Sequence, residues 1–304
     1  MHIALKSEKI LTIGTFDGVH IGHQKILEHV KALAKKANLI PTVLTLFPHP
    51  RMVLKKDDDI KLLNTIDERT KLLKDIGIEE VIIKEFTQDF ANLSARDYVK
   101  QILVDELNTK QIVIGYDHHF GKNRSANIND LKRFAEEFHF KVEEISAQEI
   151  EDVTVSSTKI RSALNNGKID IANSYLGYNY FITGTVIKGK RIGRTLDFPT
   201  ANIHINESYK LIPADGVYVV KSKIKDAIVY GMMNIGTNPT VEGKSRSIEV
   251  HFFNFEGDIY DTQLKIEFLY WLRSEQKFES LHALKNQLNQ DMAHALDRIK
   301  ALNE

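Results

Sequence analysis

Apolar residues follow two alternating patterns along the first half of the chain. Short aliphatic runs predict β-strands at residues 10–13, 41–47, 80–84, 111–115 and 141–145. Apolar residues spaced three or four apart predict amphipathic helices between them, at 23–37, 67–76 and 95–107. Thr65 and Glu68 have the spacing of a capping box, and Ser94 is a suitable N-cap. Because strands separated by helices pair in parallel, we predict a doubly wound α/β sheet.

The pattern changes after two short helices predicted at 156–164 and 169–175. Strand-like runs then follow one another without helices, at 181–188, 217–223, 228–233, 247–253 and 263–271. Turn residues separate these runs, which is typical of an antiparallel barrel. A last amphipathic helix is predicted at 280–302. We therefore predict two domains, residues 1–178 and 179–304, with no long linker and no internal repeat.

Composition and charge narrow the classes of function. The 304 residues suit two domains of ~100 to 200 residues each. Since 41 Lys+Arg balance 41 Asp+Glu, no overall charge attracts nucleic acid. The absence of cysteine excludes disulfides, Cys-zinc sites, iron–sulfur clusters and thiol nucleophiles. With no signal peptide and no apolar window of ~18 residues, we expect a soluble cytoplasmic protein, a monomer or weak homo-oligomer without membrane partners.

The first predicted strand is followed by the sequence G-T-F-D-G-V-H-I-G-H at 14–23 and then a helix. Gly18 and Gly22 let the backbone approach a ligand, and the N–H groups of a helix N-terminus suit phosphate. His20 and His23 could donate hydrogen bonds to the same anion, which suits charge stabilisation at a phosphorus centre. A simple helix cap is the commoner explanation of this motif alone. Zinc is disfavoured, because two histidines supply half a site.

A second candidate phosphate site opens the helix predicted at 156–164. Its sequence is S-S-T-K-I-R at 156–161, so hydroxyls, helix N-terminal amides, Lys159 and Arg161 could form a clamp. Ordinary N-capping also explains Ser156 and Ser157. The combination with the first motif is more informative than either motif alone.

Together the two motifs resemble the H-x-G-H and I-S-S-T-x-x-R signatures of the nucleotidyltransferase superfamily. P-H-P at 48–50 and G-Y-D-H-H-F-G at 115–121 narrow the resemblance to the FMN adenylyltransferase module of prokaryotic bifunctional riboflavin kinase/FAD synthetases, over residues 11–164. The resemblance implies a Rossmann-like domain that makes FAD and pyrophosphate from FMN and ATP. It implies that the ATP phosphates are held by Gly14, Phe16, His20, Gly22, His23, Ser156, Ser157, Thr158 and Arg161. It also implies a flavin site formed by Pro48, Pro50, Asp117 and Phe120.

Three positions depart from the pattern of this module. Leu46 stands where an aromatic residue is common, His118 replaces the first aromatic of D-F-x-F-G, and Ala126 stands where glycine is common. These departures concern the flavin pocket rather than adenylyl transfer.

A third motif lies in the second half, where G-R-T-L-D-F-P-T-A-N occupies 193–202. Thr200 and Asn202 alternate along an extended segment, so their oxygens could bind a hard cation such as Mg²⁺ beside ATP phosphates. Glu249, on a predicted strand, could orient a substrate hydroxyl and take its proton. A turn with polar strand residues and a solvent-facing glutamate are the commoner explanations of each feature alone.

With G-V-Y at 216–218, N-I-G-T-N-P-T at 234–240 and L-R-S-E-Q-K-F at 272–278, this half resembles the riboflavin kinase domain over 181–302, a six-stranded antiparallel barrel. The resemblance implies phosphorylation of riboflavin by Mg-ATP, with Glu249 as catalytic base and Thr200 and Asn202 as magnesium ligands. The resemblance also implies that Gly193 contacts ATP and that Arg273 lies near the flavin product. Asp197 and Asp261 stand where glycine is usual. A carboxylate at Asp197 repels anions unless it turns to solvent or binds metal.

These resemblances lead to the hypothesis of a two-domain enzyme that converts riboflavin to FMN and FMN to FAD, so that FAD is a product and not a prosthetic group. Three alternatives remain at this point. The first is a monofunctional FAD synthetase with an impaired kinase domain. The second is a flavin-binding regulator without turnover, and the third is a relative that uses another phosphorylated acceptor.

Overall fold

The computed structural model describes residues 7–54, 60–115, 118–145, 155–189, 192–240 and 243–302. The chain divides into two compact units, Met1–Ser156 and Ser157–Glu304. The two short helices that precede residue 178 fall in the second unit.

The first unit is built on a five-stranded parallel sheet with the order β3-β2-β1-β4-β5. Its strands are β1 (Lys9–Ile13), β2 (Ile40–Phe47), β3 (Glu80–Glu85), β4 (Thr109–Gly115) and β5 (Lys141–Ile145). Every neighbouring pair is parallel, which confirms the predicted doubly wound fold. The chain leaves central β1 toward β2 on one side and returns to β4 on the other. The carboxyl end of β1 is therefore the switch point where such sheets bind ligands.

Six α-helices accompany this sheet in the part of the chain that the structure describes. They are α1 (Ile21–Ala37), α2 (Pro50–Leu54), α3 (Ile66–Asp75), α4 (Gln88–Ala91), α5 (Ala95–Asp97), which continues as a π-helix (Tyr98–Glu106), and α6 (Ile128–Phe138). The capping box of Thr65 and Glu68 on α3 is confirmed, and Ser94 caps α5. The prediction of one regular helix over 95–107 was wrong in its π-helical part, and α6 was not predicted.

The central strands β2, β1 and β4 are largely buried on both faces, as their aliphatic sequences require. Adjacent Ile10 and Leu11 on β1 are both fully buried and belong to different apolar clusters. Ile10 packs with Val30 of α1, and Leu11 packs with Leu131 of α6. Helices thus cover the two sides of β1 and fix the loop that follows it.

The second unit begins with α7 (Ser157–Asn165) and α8 (Ile169–Leu176) and continues as a closed antiparallel barrel. The strand order is β10-β7-β6-β11-β8-β9. The strands are β6 (Phe181–Ile187), β7 (Ala201–His204), β8 (Gly216–Ile224), β9 (Ala227–Thr240), β10 (Gly243–Phe252) and β11 (Gln263–Ser274). The predicted barrel and final helix, α9 (Leu281–Lys300), are confirmed. Short β7, which was not among the predicted strands, joins β6 to β10.

Helix α9 covers one side of the barrel. Ala295 and Ile299 of α9 pack in one apolar cluster with Val217 and Val219 of β8 and Met232 of β9. The same cluster includes Leu196 and Phe198, which flank Asp197. The helix therefore reaches the segment that contains the P-T-A-N motif.

Candidate active sites

The loop between β1 and α1 has the geometry of an anion site. His20 is the N-cap of α1, and its Nδ1 accepts a hydrogen bond of 3.3 Å from the backbone N–H of His23. The loop before it is strained, because Phe16 and Val19 have φ values of 47° and 38°. The helix starts at Ile21, two residues earlier than predicted, so both histidines lie in its first turn.

The structure brings Phe16, His20 and His23 together. The rings of His20 and His23 stack with centroids 3.7 Å apart, and the ring of Phe16 meets His23 edge-on at 5.1 Å. A Cβ at Gly14 would lie 3.1 Å from the Phe16 ring, so glycine leaves room for it. Buried Gly22 follows the N-cap on the same turn.

Both histidines are neutral at physiological pH. Burial lowers the pKa of His20 to about 4, against an opposing effect of nearby Asp17. Burial also lowers the pKa of His23 well below its usual value, and the charges of His20 and Arg69 add to this effect. Since Nδ1 of neutral His20 is an acceptor, its proton is on Nε2. Among the described residues, buried Nδ1 of His23 has no hydrogen-bond partner.

A buried polar network, which sequence reasoning missed, holds this loop. The carboxylate of Asp17 accepts hydrogen bonds from the backbone N–H groups of Leu63 (2.9 Å) and Asn64 (3.3 Å). Asn64 Oδ1 accepts from the backbone N–H of Gly18 at 2.9 Å. Arg69 Nη2 lies 3.6 Å from Asp17 Oδ1, and both side chains are 1% exposed. Arg69 lies on the same buried face of α3 as Leu73. An arginine on the apolar face of a predicted helix suggests a buried carboxylate partner, and this signal could have revealed the network.

Acid should destabilise the first unit through His20. Because its pKa is lowered from 6.5 to about 4, the unfolded chain binds a proton in this window that the folded chain does not. The free energy of unfolding therefore falls as pH decreases from about 6.5 toward 4. Between about pH 7 and pH 5 we expect His20 to contribute a loss of about 2 kcal/mol. Urea unfolding of the wild type and of His20→Gln measures this, and equal pH slopes in the two proteins would contradict it.

A cavity of about 420 Å³ opens beside the ends of β1 and β2, which contribute Ile13 and Leu46. Pro50 and Phe120, two of the predicted flavin residues, line it. Pro48 follows a cis peptide bond and is not part of the lining. The fourth predicted flavin residue, Asp117, lies outside the described residues.

The residues that depart from the flavin-site pattern lie in or next to this cavity. Leu46 and His118 line it, and the His118 ring stacks on the Phe120 ring with centroids 6.1 Å apart. Ala126 exchanges two backbone hydrogen bonds with Phe120, of 3.0 and 3.1 Å. The substitution at His118 thus keeps a flat ring beside Phe120.

The charged residues in the described lining of the same cavity are all positive. Its described lining contains Arg51 and Arg124 and no aspartate or glutamate. Much of the remaining surface is aromatic or aliphatic, including Phe86, Phe90 and Tyr98. This combination suits a flat apolar ring system that carries an anionic group.

The S-S-T-K-I-R segment lies at the start of α7. Ser157 is the first residue of the helix, Thr158 and Lys159 are exposed, and Arg161 is half-buried in the second turn. Ser156 ends the first unit and Ser157 begins the second. The predicted joint action of this segment with His20 and His23 stays a prediction.

In the barrel, the structure brings Thr200, Asn202 and Glu249 together. Thr200 Oγ1 donates a hydrogen bond of 3.1 Å to Glu249 Oε2. Asn202 on β7 lies directly opposite Glu249 on β10. A Cβ at Gly189 would lie 2.1 Å from the Asn202 amide nitrogen, so the Asn202 side chain is packed against backbone. A hydroxyl, an amide oxygen and a carboxylate are oxygen donors that suit Mg²⁺.

The loop before Thr200 explains one departure from the kinase pattern. Phe198 N–H donates to Gly193 O at 2.9 Å, and a Cβ at Gly193 would lie 2.2 Å from Phe198 O. Asp197 has a φ of 67°, in the left-handed region where glycine is favoured. Its carboxylate accepts a hydrogen bond of 2.6 Å from Lys285 Nζ on α9. The expected repulsion is therefore countered by a partner within the protein. Asp261, the second departure, also has a positive φ, of 60°.

A cavity of about 750 Å³ adjoins this site and is lined by Asp197, Pro199 and Thr200 together with Phe255 and Tyr260. His251 supports the P-T-A-N segment, since its Nδ1 lies 2.9 Å from Pro199 O and its ring meets Phe198 at 5.1 Å. Sequence reasoning placed His251 on the strand of Glu249 and gave it no role.

Arg273 joins β11 to α9. Its Nε and Nη2 donate hydrogen bonds of 2.9 and 2.7 Å to Asp291, a carboxylate that is 3% exposed. Its Nη1 donates to Ser274 O at 3.0 Å. The predicted position of Arg273 near the flavin product stays a prediction.

Comparison with known proteins agrees with one site in the parallel-sheet unit and another in the barrel. Residues 2–159 match the FAD synthetase family model, and residues 176–299 match the riboflavin kinase family model. A bifunctional riboflavin kinase/FMN adenylyltransferase of Bacillus subtilis is 36% identical over 97% of this chain and 95% of its own length. The Escherichia coli K12 protein of the same description is 33% identical over 93% of this chain and 90% of its own length.

A crystal structure from Streptococcus pneumoniae, described as a macrolide-efflux protein, matches with a TM-score of 0.86 and 32% identity. The match covers 96% of this chain and 94% of that one. None of the helices in the described ranges has the length and apolar character of a bilayer span. The relatives and both family models, which match in the order of the two sites, show that the chain belongs to the family of bifunctional riboflavin kinases/FMN adenylyltransferases.

Proposed function

We propose that the two reactions of this bifunctional enzyme take place at the two sites described above. The barrel transfers the γ-phosphoryl group of ATP to the 5′-hydroxyl of riboflavin and yields FMN. The parallel-sheet domain joins FMN to the adenylyl group of a second ATP and yields FAD and pyrophosphate. Two separate observations carry the proposal. Thr200, Asn202 and Glu249 converge within the barrel, and His20 and His23 stack at a helix N-terminus within the sheet domain.

In the adenylyl transfer, a phosphate oxygen of FMN attacks the α-phosphorus of ATP. The Nε2–H of His20 donates a hydrogen bond to the triphosphate, and His23 and the first amides of α1 do the same. Neutral donors suit this site, because protonation of either buried ring is opposed by burial. Ser156, Ser157, Thr158 and Arg161 complete the clamp, with Arg161 able to bind two oxygens at once.

The 420 Å³ cavity takes the flavin ring of FMN. Pro50, Phe120 and Leu46 give it an apolar surface. Asp117 belongs to the proposed site, and Pro48, outside the cavity lining, is proposed only to border it. Arg51 and Arg124 favour a phosphorylated flavin over riboflavin, because they attract its anionic group.

In the kinase, Glu249 orients the 5′-hydroxyl and accepts its proton as the oxygen bonds to the γ-phosphorus. Its Oε2 accepts from Thr200, so we assign the proton to Oε1. Thr200 and Asn202 are the residues that hold Mg²⁺, which neutralises triphosphate charge when bound. Gly193 lets the loop close tightly near the phosphates, and Arg273 borders the flavin product.

The remaining proposals concern the protein in the cell. We propose a domain boundary near residue 178, a cytoplasmic location consistent with ATP as substrate of both steps, and a monomer or weak homo-oligomer. An impaired kinase was the main alternative because of Asp197. Its ion pair with Lys285 offsets part of the repulsion on which that alternative rests.

Incubation with riboflavin and Mg-ATP, followed by chromatography of the flavins, tests the proposal. We expect FMN to appear first and FAD to follow together with pyrophosphate. If the protein converts added FMN to FAD but does not consume riboflavin, it lacks riboflavin kinase activity. Flavin binding without ATP consumption would support the regulator instead. Faster turnover of pantetheine phosphate than of FMN would identify another acceptor.

A further inference from the structure

Helix α9 supplies a cation to the edge of the 750 Å³ cavity that adjoins the proposed kinase site. Because Thr200, a proposed Mg²⁺ ligand, lines this cavity, we assign it to Mg-ATP. Lys285, in the second turn of α9, contacts the carboxylate of Asp197 at 2.6 Å. Asp197 lines the 750 Å³ cavity together with Thr200, which follows three residues later. The Asp197 side chain is 80% exposed, so solvent screens part of the effect of its charge on a ligand in the cavity.

The charge of the described part of this cavity is unfavourable for a nucleotide. Its described lining contains three carboxylates, Asp197, Glu256 and Asp258, and no lysine or arginine. ATP is itself strongly anionic, so each uncompensated carboxylate near it weakens binding. Asp197 is adjacent to the P-T-A-N motif, and Lys285 is the cation that the described structure places against it.

The position of Lys285 is fixed by the anchoring of its helix. Asp291 on α9 binds Arg273 of β11 and also accepts a hydrogen bond of 2.9 Å from Gln287. Ala295 and Ile299 hold the next turns against the barrel. Lys285 therefore extends from a rigid element to a loop residue in a left-handed conformation.

We propose that Lys285 is a positioning residue of the kinase reaction. It neutralises Asp197 and holds the 193–198 loop in the conformation that admits Mg-ATP. The inference rests on the proposed assignment of this cavity to Mg-ATP.

Lys285→Met tests the inference in the full chain. We expect the KM for Mg-ATP in riboflavin phosphorylation to rise roughly three- to tenfold, because an exposed carboxylate then faces the nucleotide through partly screened solvent. We expect kcat to change little and FAD formation from FMN to stay unchanged. In Lys285→Met/Asp197→Asn the KM should return to near the wild-type value, since asparagine also tolerates a positive φ.

Lys223→Met is the matched control. Lys223 also forms an exposed ion pair, with Asp226 at 3.9 Å, and we expect its replacement to leave all kinetic constants unchanged. An unchanged KM in Lys285→Met, or a double variant without recovery, would overturn the inference. A higher KM in Asp197→Asn alone would also overturn it, because Asp197 would then assist binding.

Thr200→Ala separates this inference from the proposed function. A raised KM for Mg-ATP in Thr200→Ala supports the assignment of the cavity, so failure of the lysine variants then contradicts only the role of Lys285. An unaffected KM in Thr200→Ala would overturn the assignment and the inference together.

Discussion

Replacement of Glu249 by glutamine should stop FMN formation from riboflavin and spare FAD formation from added FMN. Loss of the general base should lower kcat for riboflavin phosphorylation by about 10²–10⁴-fold. Glutamine has nearly the same shape and can still accept the hydrogen bond from Thr200, so the barrel should stay folded. Flavin products from riboflavin and from FMN, each with Mg-ATP, are the measurement.

Glu256→Gln is the control for this experiment. Glu256 lines the neighbouring cavity but has no assigned part in proton transfer, so we expect kcat to stay near the wild-type value. If Glu249→Gln keeps more than a tenth of the wild-type kcat, Glu249 is not the base. If it loses both reactions while folded, the division of the reactions between the two sites is wrong.

Replacement of His23 by alanine should produce the opposite pattern, in which riboflavin is converted to FMN and no further. Removal of one preorganised donor from a phosphate site should slow adenylyl transfer by about 10²–10³-fold. The effect should fall on kcat for FAD formation from FMN. Continued FMN production in the same sample shows that the barrel is intact.

His29→Ala is the matched control on the same helix. His29 lies farther along α1 and pairs with Glu143 at 3.2 Å near the surface, so we expect normal FAD formation. Normal FAD formation by His23→Ala would contradict the proposed phosphate site. Circular dichroism of both variants shows whether α1 and the sheet stay folded.

The alternation of apolar runs was enough to predict the architecture of both halves. The central strands of the parallel sheet are aliphatic and largely buried on both faces, so their pattern is strong. Helix α6 was missed although Ile128, Leu131 and Phe134 form a buried stripe, because a polar, charged sequence surrounds them. Strand β7 was missed because four residues that include Asn202 and His204 give too short a pattern.

The motifs identified the residues that lie together at each site, but they did not predict the polar contacts that hold those residues in place. The rings of Phe16, His20 and His23 lie together, and so do Thr200, Asn202 and Glu249. That these two sets bind nucleotide and magnesium stays a prediction. The network of Asp17, Asn64 and Arg69 depends on contacts between residues nearly fifty positions apart. Lys285 and Asp197 are 88 positions apart. Hydrophobic periodicity contains no information about such pairings of polar side chains.

The closure of the barrel and the chemistry of the kinase depend on the same backbone contact. Strand β7 registers with β10 through two residue pairs, and one of them joins Asn202 to Glu249. Because so short a strand pair has few backbone hydrogen bonds, we expect local opening of the barrel to start there. A ligand that binds residues of both strands should therefore also stabilise the closed barrel.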